Sequence, residues 1–132
     1  MRRVSVDPRA LAAELLAGLN FGHLGTVNRD GSVQVSPVWV HIEDGRPVFN
    51  TAEGRVKWRN IERDPRVTLE VIDSSGYRSV EIRGRAVMTR EGARENADAL
   101  AIKYTGEPFD GFKEGVERVK VTIEPERYLF HH

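Results

Sequence analysis

Leucines recur four apart near the start of the chain: Leu11, Leu15 and Leu19, with Ala12 and Leu16 beside them. That period predicts an amphipathic helix over about 8–19. Asp7 suits its N-cap, Pro8 its first position, and Gly18 and Asn20 punctuate its end. The pattern then turns to alternation. Residues 21–28 (FGHLGTVN) read as a strand, Arg29-Asp30-Gly31 as a hairpin turn, and residues 33–42 (VQVSPVWVHI) as one return strand. Val33 and Val35 share one face of it; Val38, Val40 and Ile42 share the other. The apolar side switches at Ser36-Pro37, and proline cannot donate to a ladder, so the strand is bulged or at a sheet edge there.

A second turn, Glu43-Asp44-Gly45, leads to a third strand at 47–51 (PVFNT). After Gly54 a short helix is expected, stopping before Pro65. Strands follow at 67–72 and 77–89, where Gly84 signals a bulge or a close backbone approach. A helix is expected at about 91–104, then the loop TGEPFDGF, a strand at 116–124 and a short final strand at 127–130. Few helices and consecutive hairpins predict a mainly β, antiparallel barrel or sandwich with flanking helices. The 132 residues suit a single domain, with no internal repeat or low-complexity linker.

Composition narrows the function. Lys plus Arg balance Asp plus Glu at 20 each, which argues against a general nucleic-acid or membrane-surface binder. The absence of cysteine removes disulfides, thiolate catalysis and Cys-ligated zinc. No apolar run approaches the roughly 20 residues of a membrane span. The start MRRVSVDPRA has no apolar stretch of a secretory signal, so a cytoplasmic protein is expected. The closing His131-His132 reads either as native sequence or as the stub of a tag.

The most informative stretch is NTAEGRVKWRNIERDP, residues 50–65. Arg55, Lys57 and Arg59 crowd the start of the short helix. A helix N-terminus carries unsatisfied N–H groups and partial positive charge, so basic side chains there make a seat for phosphate. The alternative is a solvated basic helix face. No P-loop, G-x-G-x-x-G or G-x-S-x-G motif occurs, and no carboxylate pair stands out. His23 and His41 fall on the first two strands, where a hairpin could bring them together, but with no third ligand a structural role is expected for each. No metal site and no catalytic acid or base is assigned. Trp39 reads as core, with a binding-groove wall as the alternative, and Trp58 as packing against the barrel or a partner.

Three segments, TVNRDGSVQVSPVWV, VFNTAEGRVKWRNIERDPRVTLEV and YRSVEIRGRAVM, resemble in order and spacing the flavin/deazaflavin oxidoreductases of the pyridoxamine 5'-phosphate oxidase-like superfamily. The similarity runs over roughly residues 7–125 and is greatest to the branch that uses the deazaflavin coenzyme F-420. The resemblance implies a split β-barrel homodimer with two cofactor sites at the interface. It implies that Arg55 and Lys57, with Arg59, hold the cofactor phosphate. Backbone of Ser36, Pro37 and Val38 would border the ring system, and Asn50 and Thr51 would lie near the ring or ribityl chain. Tyr77, Arg78 and Ser79 would come from the partner subunit. The tail PERYLFHH lacks the Arg- and Trp-containing end by which true pyridoxamine 5'-phosphate oxidases hold their substrate, which argues against vitamin B6 oxidation.

Two charged ligands and a helix end supply about 3–8 kcal/mol, roughly millimolar to micromolar binding. A ring groove must contribute the rest. The expected function is an oxidoreductase passing a hydride from reduced coenzyme F-420 to a small conjugated acceptor. The alternatives are an FMN-dependent oxidoreductase or oxidase of the same fold, and a non-catalytic flavin, deazaflavin or haem carrier. Basic residues beyond the phosphate seat, Arg29, Arg59 and Arg63, would favour F-420, whose tail is an oligoglutamate.

Overall fold

The computed structural model describes residues 6–131; Arg2, Arg3 and His132 lie outside them. Helix α1 spans Pro8–Ala17, and Asp7 caps it by accepting from the Arg9 N–H. It ends two residues before the leucine period does. Gly18 turns extended, and Asn20 Nδ2 donates at 2.9 Å to the Leu15 carbonyl, which the helix leaves open. Leu19 is therefore 70% exposed, outside the core that Leu11, Ala12, Leu15 and Leu16 enter.

Seven strands form one antiparallel sheet: β1 (Gly22–Val27), β2 (Val33–Val38), β3 (His41–Glu43), β4 (Arg46–Ala52), β5 (Arg66–Ile72), β6 (Ser79–Thr89) and β7 (Arg118–His131). Their order is β2-β1-β5-β6-β7-β4-β3. The expected single strand over 33–42 is thus two strands at opposite edges of the sheet. Only Trp39 and Val40 separate them. Three steps of at most about 3.6 Å cannot bridge a flat seven-stranded sheet, so the sheet curls until its edges meet. The result is a barrel split along the β2–β3 seam. Pro37 pairs with His23 in unbroken register, so the proline marks an edge and not a bulge. The edge position explains why: β2 has a ladder on one side only.

Val40, Phe49, Leu69, Val71, Val80, Ile82, Val121 and Ile123 fill the barrel, all fully buried. Helix α2 (Val56–Arg63) follows β4, and α3 (Ala93–Thr105) packs on β4 and β7. Neither helix, nor α1, is long and apolar enough to cross a membrane. Asn60 of α2 is buried and donates to Thr26 Oγ1 at 3.0 Å and to Asn28 Oδ1 at 2.9 Å. Arg63 donates to Asn60 Oδ1 at 2.8 Å and to the Val27 carbonyl at 2.7 Å. These bonds fix α2 against the end of β1. Trp58 packs on the core beside it, as expected.

The two strands expected after residue 116 are one, because Pro125 falls where β7 bulges against β6. The register shifts between Arg83 and Gly84, and a Cβ on Gly84 would lie 2.1 Å from the Glu124 carbonyl oxygen. The missing proline N–H is absorbed at the bulge, and the glycine permits the close approach. Gly84→Ala is expected to cost about 1–3 kcal/mol in chemical denaturation. An unchanged unfolding midpoint would show that the bulge does not require glycine.

Candidate functional site

A cavity of about 320 Å³ lies where the end of β4, the start of α2, the start of β7, α3 and the β2–β3 crossover meet. Its volume is within the ordinary range for a ligand site. Gly54, with φ of 91°, makes the turn from β4 into α2 and puts Arg55 at the helix N-cap. No side chain caps that end and no acid occupies its first turn. The orphan N–H groups and dipole therefore border the cavity beside Arg55 and Lys57, both of which line it. Arg118, the first residue of β7, lines it too.

No Asp or Glu lines this cavity. The nearest acid in sequence, Glu53, is engaged by Arg90 through two bonds of 2.7 and 2.8 Å. The cations consequently act on one another. Burial, then Arg55 and Arg118, hold the Lys57 ammonium below the usual lysine range. Burial, then Arg55, also lowers Arg118. The Thr51 hydroxyl adds a further demand: Thr51 is 3% exposed, lines the cavity, and its Oγ1 has no partner. Three cations without a carboxylate and an unpaired buried hydroxyl suit an anionic, hydrogen-bonding ligand.

The other walls are aromatic. Trp39 stacks on Tyr104 at 5.5 Å and 6° between planes, and Phe21 tilts against the same ring at 5.5 Å. Tyr104 is held by donating to the Asn20 carbonyl at 2.5 Å and accepting from the Val40 N–H at 3.2 Å. Next to it, Lys103 Nζ donates to the Leu16 and Val40 carbonyls, each at 2.7 Å, and approaches His41 Nδ1 at 3.1 Å. Burial pushes this ammonium down to about 8. The loop after α3 also brings Phe109 to the cavity. Trp39 is accordingly a wall and not core, because the crossover carries it out of the sheet.

Of the residues expected at a cofactor site, Pro37, Val38, Asn50, Thr51, Arg55 and Lys57 all line this one cavity. Asn50 and Thr51 belong to the fourth strand, because the second expected strand divides. Asn50 is already occupied: its Nδ2 donates to the Ala93 carbonyl and Asn96 Oδ1, and its Oδ1 accepts from Arg118. Ser36 sits one step from the cavity, with its Oγ buried and unpartnered. Arg59 points elsewhere, into a shallow depression shared with Arg29, Arg63 and Trp58. Tyr77 is 80% exposed at the β5–β6 turn, Arg78 pairs with Glu14 and Asp73, and Ser79 is buried. All three lie at the far end of β6 from Arg118 and do not line this cavity. His23 and His41 are not neighbours, since β1 and β3 are not paired.

Phe21, Phe109, Ala97, Leu100 and Arg118 complete the walls and were not expected there. Arg118 shares its alternating strand with Lys120, and nothing in the sequence singles it out.

Residues 9–132 match the family profile described as pyridoxamine 5'-phosphate oxidase. Among solved structures, an F-420 reductase is 29% identical, with TM-score 0.79 over 88% of this chain and 94% of its own. A conserved hypothetical protein of Mycobacterium tuberculosis is 25% identical, with TM-score 0.73 over 97% and 87%. A haem-binding protein of Mycobacterium smegmatis shares the fold at 20% identity and TM-score 0.69, over 98% of this chain and 55% of its own.

An anion binds the charged form of Lys57 and raises its pKa again. Affinity for inorganic sulfate, a dianion throughout this range, is therefore expected to be full at neutral pH and to fall as pH rises through the depressed Lys57 pKa. In Lys57→Met that alkaline fall flattens. Calorimetric titrations at about pH 7 and about pH 10 check it; the same fall in both proteins would contradict the assignment.

Proposed function

The chain belongs to the pyridoxamine 5'-phosphate oxidase family, and from that membership we propose that it is a cytoplasmic oxidoreductase using coenzyme F-420, as a homodimer, to reduce a small conjugated acceptor. The observation that carries this reading is the carboxylate-free cavity, in which Arg55, Lys57 and an uncapped helix N-terminus meet two aromatic walls. Those residues fit a phosphate-bearing flavin or deazaflavin: a cationic seat, an unpaired Thr51 hydroxyl and planar walls. Bound there, the cofactor supplies the hydride.

In this reading the chain's own residues orient and shield. Arg55 and Lys57 hold the phosphate. Thr51 offers its hydroxyl to the ribityl region, and the Pro37–Val38 backbone, with Trp39 behind it, borders the ring. The proton comes from solvent, which agrees with a cavity that lacks a carboxylic acid. Tyr77, Arg78 and Ser79 reach the site from a second copy. Exposed apolar side chains on edge strand β2, Val33 and Val35, support a partner, being 63% and 64% exposed.

The deazaflavin is favoured over FMN by two observations. The F-420 reductase is the more identical of the solved relatives described. Arg29 and Arg59 also lie together in the depression beside α2, where an acidic tail would meet them. Arg63 contributes less, since Asn60 and Val27 engage it. FMN remains the second reading because the phosphate seat serves either cofactor. A carrier role for haem finds less support, with His23 and His41 on unpaired strands.

Parallel fluorescence titrations with F-420 and FMN test the choice. F-420 is expected to bind tighter, at one site per chain; tighter FMN binding overturns it. In Arg55→Ala/Lys57→Ala, affinity for either cofactor is expected to fall roughly 100-fold, about 3 kcal/mol. Unchanged affinity would remove the phosphate seat from this cavity.

A further inference from the structure

Arg118 begins β7 opposite Ala52, the last residue of β4. Its Nε donates to Asn50 Oδ1 at 2.9 Å, and Asn50 is itself fixed by two 2.8 Å bonds to Ala93 and Asn96. Both hydrogens of the Asn50 amide thus go to α3, which fixes its oxygen toward the guanidinium. One face of that guanidinium lies 4.8 Å from the centre of the Phe109 ring. Phe109 meets Phe112 edge-on at 4.9 Å, and Arg94 lies 4.1 Å over Phe112. Arg118 is thereby held in orientation by one hydrogen bond and one ring, and no carboxylate lines the cavity its guanidinium shares. A half-buried arginine, held in orientation and facing no carboxylate, is suited to an anion that completes its fork.

Resting on the reading of the cavity as a phosphate seat, we propose that Arg118 is a third anion ligand and that Asn50 is a positioning residue acting through it. The site then offers an anionic group three cations and not two. Asn50 belongs with the guanidinium and not with the cofactor ring, which differs from the role the family resemblance implies for it. Phe109 also acquires a function: it seats the loop from Gly106 to Gly115 on the same guanidinium that the anion engages.

Calorimetric titration with inorganic pyrophosphate tests this directly, with far-UV spectra confirming the fold of each variant. Arg118→Gln is expected to bind about 10- to 100-fold more weakly. Arg118→Lys, which keeps the charge and loses the fork, should fall between Arg118→Gln and the native protein, and it carries the test if Arg118→Gln does not fold. Asn50→Ala should weaken binding less than Arg118→Gln. Its dependence on ionic strength should keep the native slope, whereas Arg118→Gln should become shallower. Arg85→Gln removes a positive charge far from the cavity and should bind as the native protein does. Native-like binding by both Arg118 variants, with loss in Arg55→Ala/Lys57→Ala, overturns the role of Arg118 and leaves the phosphate seat standing. Native-like binding by all of them, the double variant included, overturns the seat as well.

Discussion

Three like charges held in one half-buried cavity are the constraint around which this end of the barrel is built. Arg55, Lys57 and Arg118 repel one another; burial first, and that repulsion second, lower the basicity of Lys57 and Arg118. Such an arrangement persists only where the fold enforces it and a ligand repays it. Enforcement is visible on every side. Asn60 and Arg63 tie α2 to β1, Asn50 orients Arg118, and Arg90 draws off Glu53, the acid that could have neutralised the group.

The barrel supplies the geometry that makes this possible. Because β2 and β3 occupy opposite edges of the sheet yet are joined by Trp39 and Val40, closure brings the crossover beside the end of β4. The crossover residues cannot all complete a ladder, so α3 satisfies them. Tyr104 bonds the Val40 N–H and Lys103 the Val40 carbonyl. One helix therefore both pins the seam and presents the ring on which Trp39 stacks, coupling the closure of the fold to the aromatic wall of the site.

Local chemistry was legible in the sequence where it was contiguous. Gly54, Arg55, Lys57 and Pro65 lie within one short segment, and each imposes its own backbone or charge signature. The strand periods and the Gly84 bulge were readable for the same reason. What depended on distant pairing was not. Arg118 and Asn50 are 68 residues apart, and nothing in alternation marks which basic residue of a strand turns inward. The division of residues 33–42 into two strands was hidden because Val38, Val40 and Ile42 keep one alternating phase across the break, and only the curl of the sheet separates them. Pro125 concealed the continuity of β7, since a proline ordinarily ends a ladder and here falls on a bulge. Arg59 was grouped with Arg55 and Lys57 by proximity in sequence, but it lies within the helix and lines the depression with Arg29, whereas Arg55 sits at the extended N-cap and lines the cavity.

In the proposed reading the cofactor's phosphate sits in this cation cluster. A crystal structure of the protein with F-420 or FMN bound tests it most directly. Phosphate oxygens are expected at about 3 Å from Arg55 and Lys57, with the ring toward Pro37 and Trp39. A phosphate resting against Arg29 and Arg59 on the other side of α2, with the cavity filled by water alone, would contradict it.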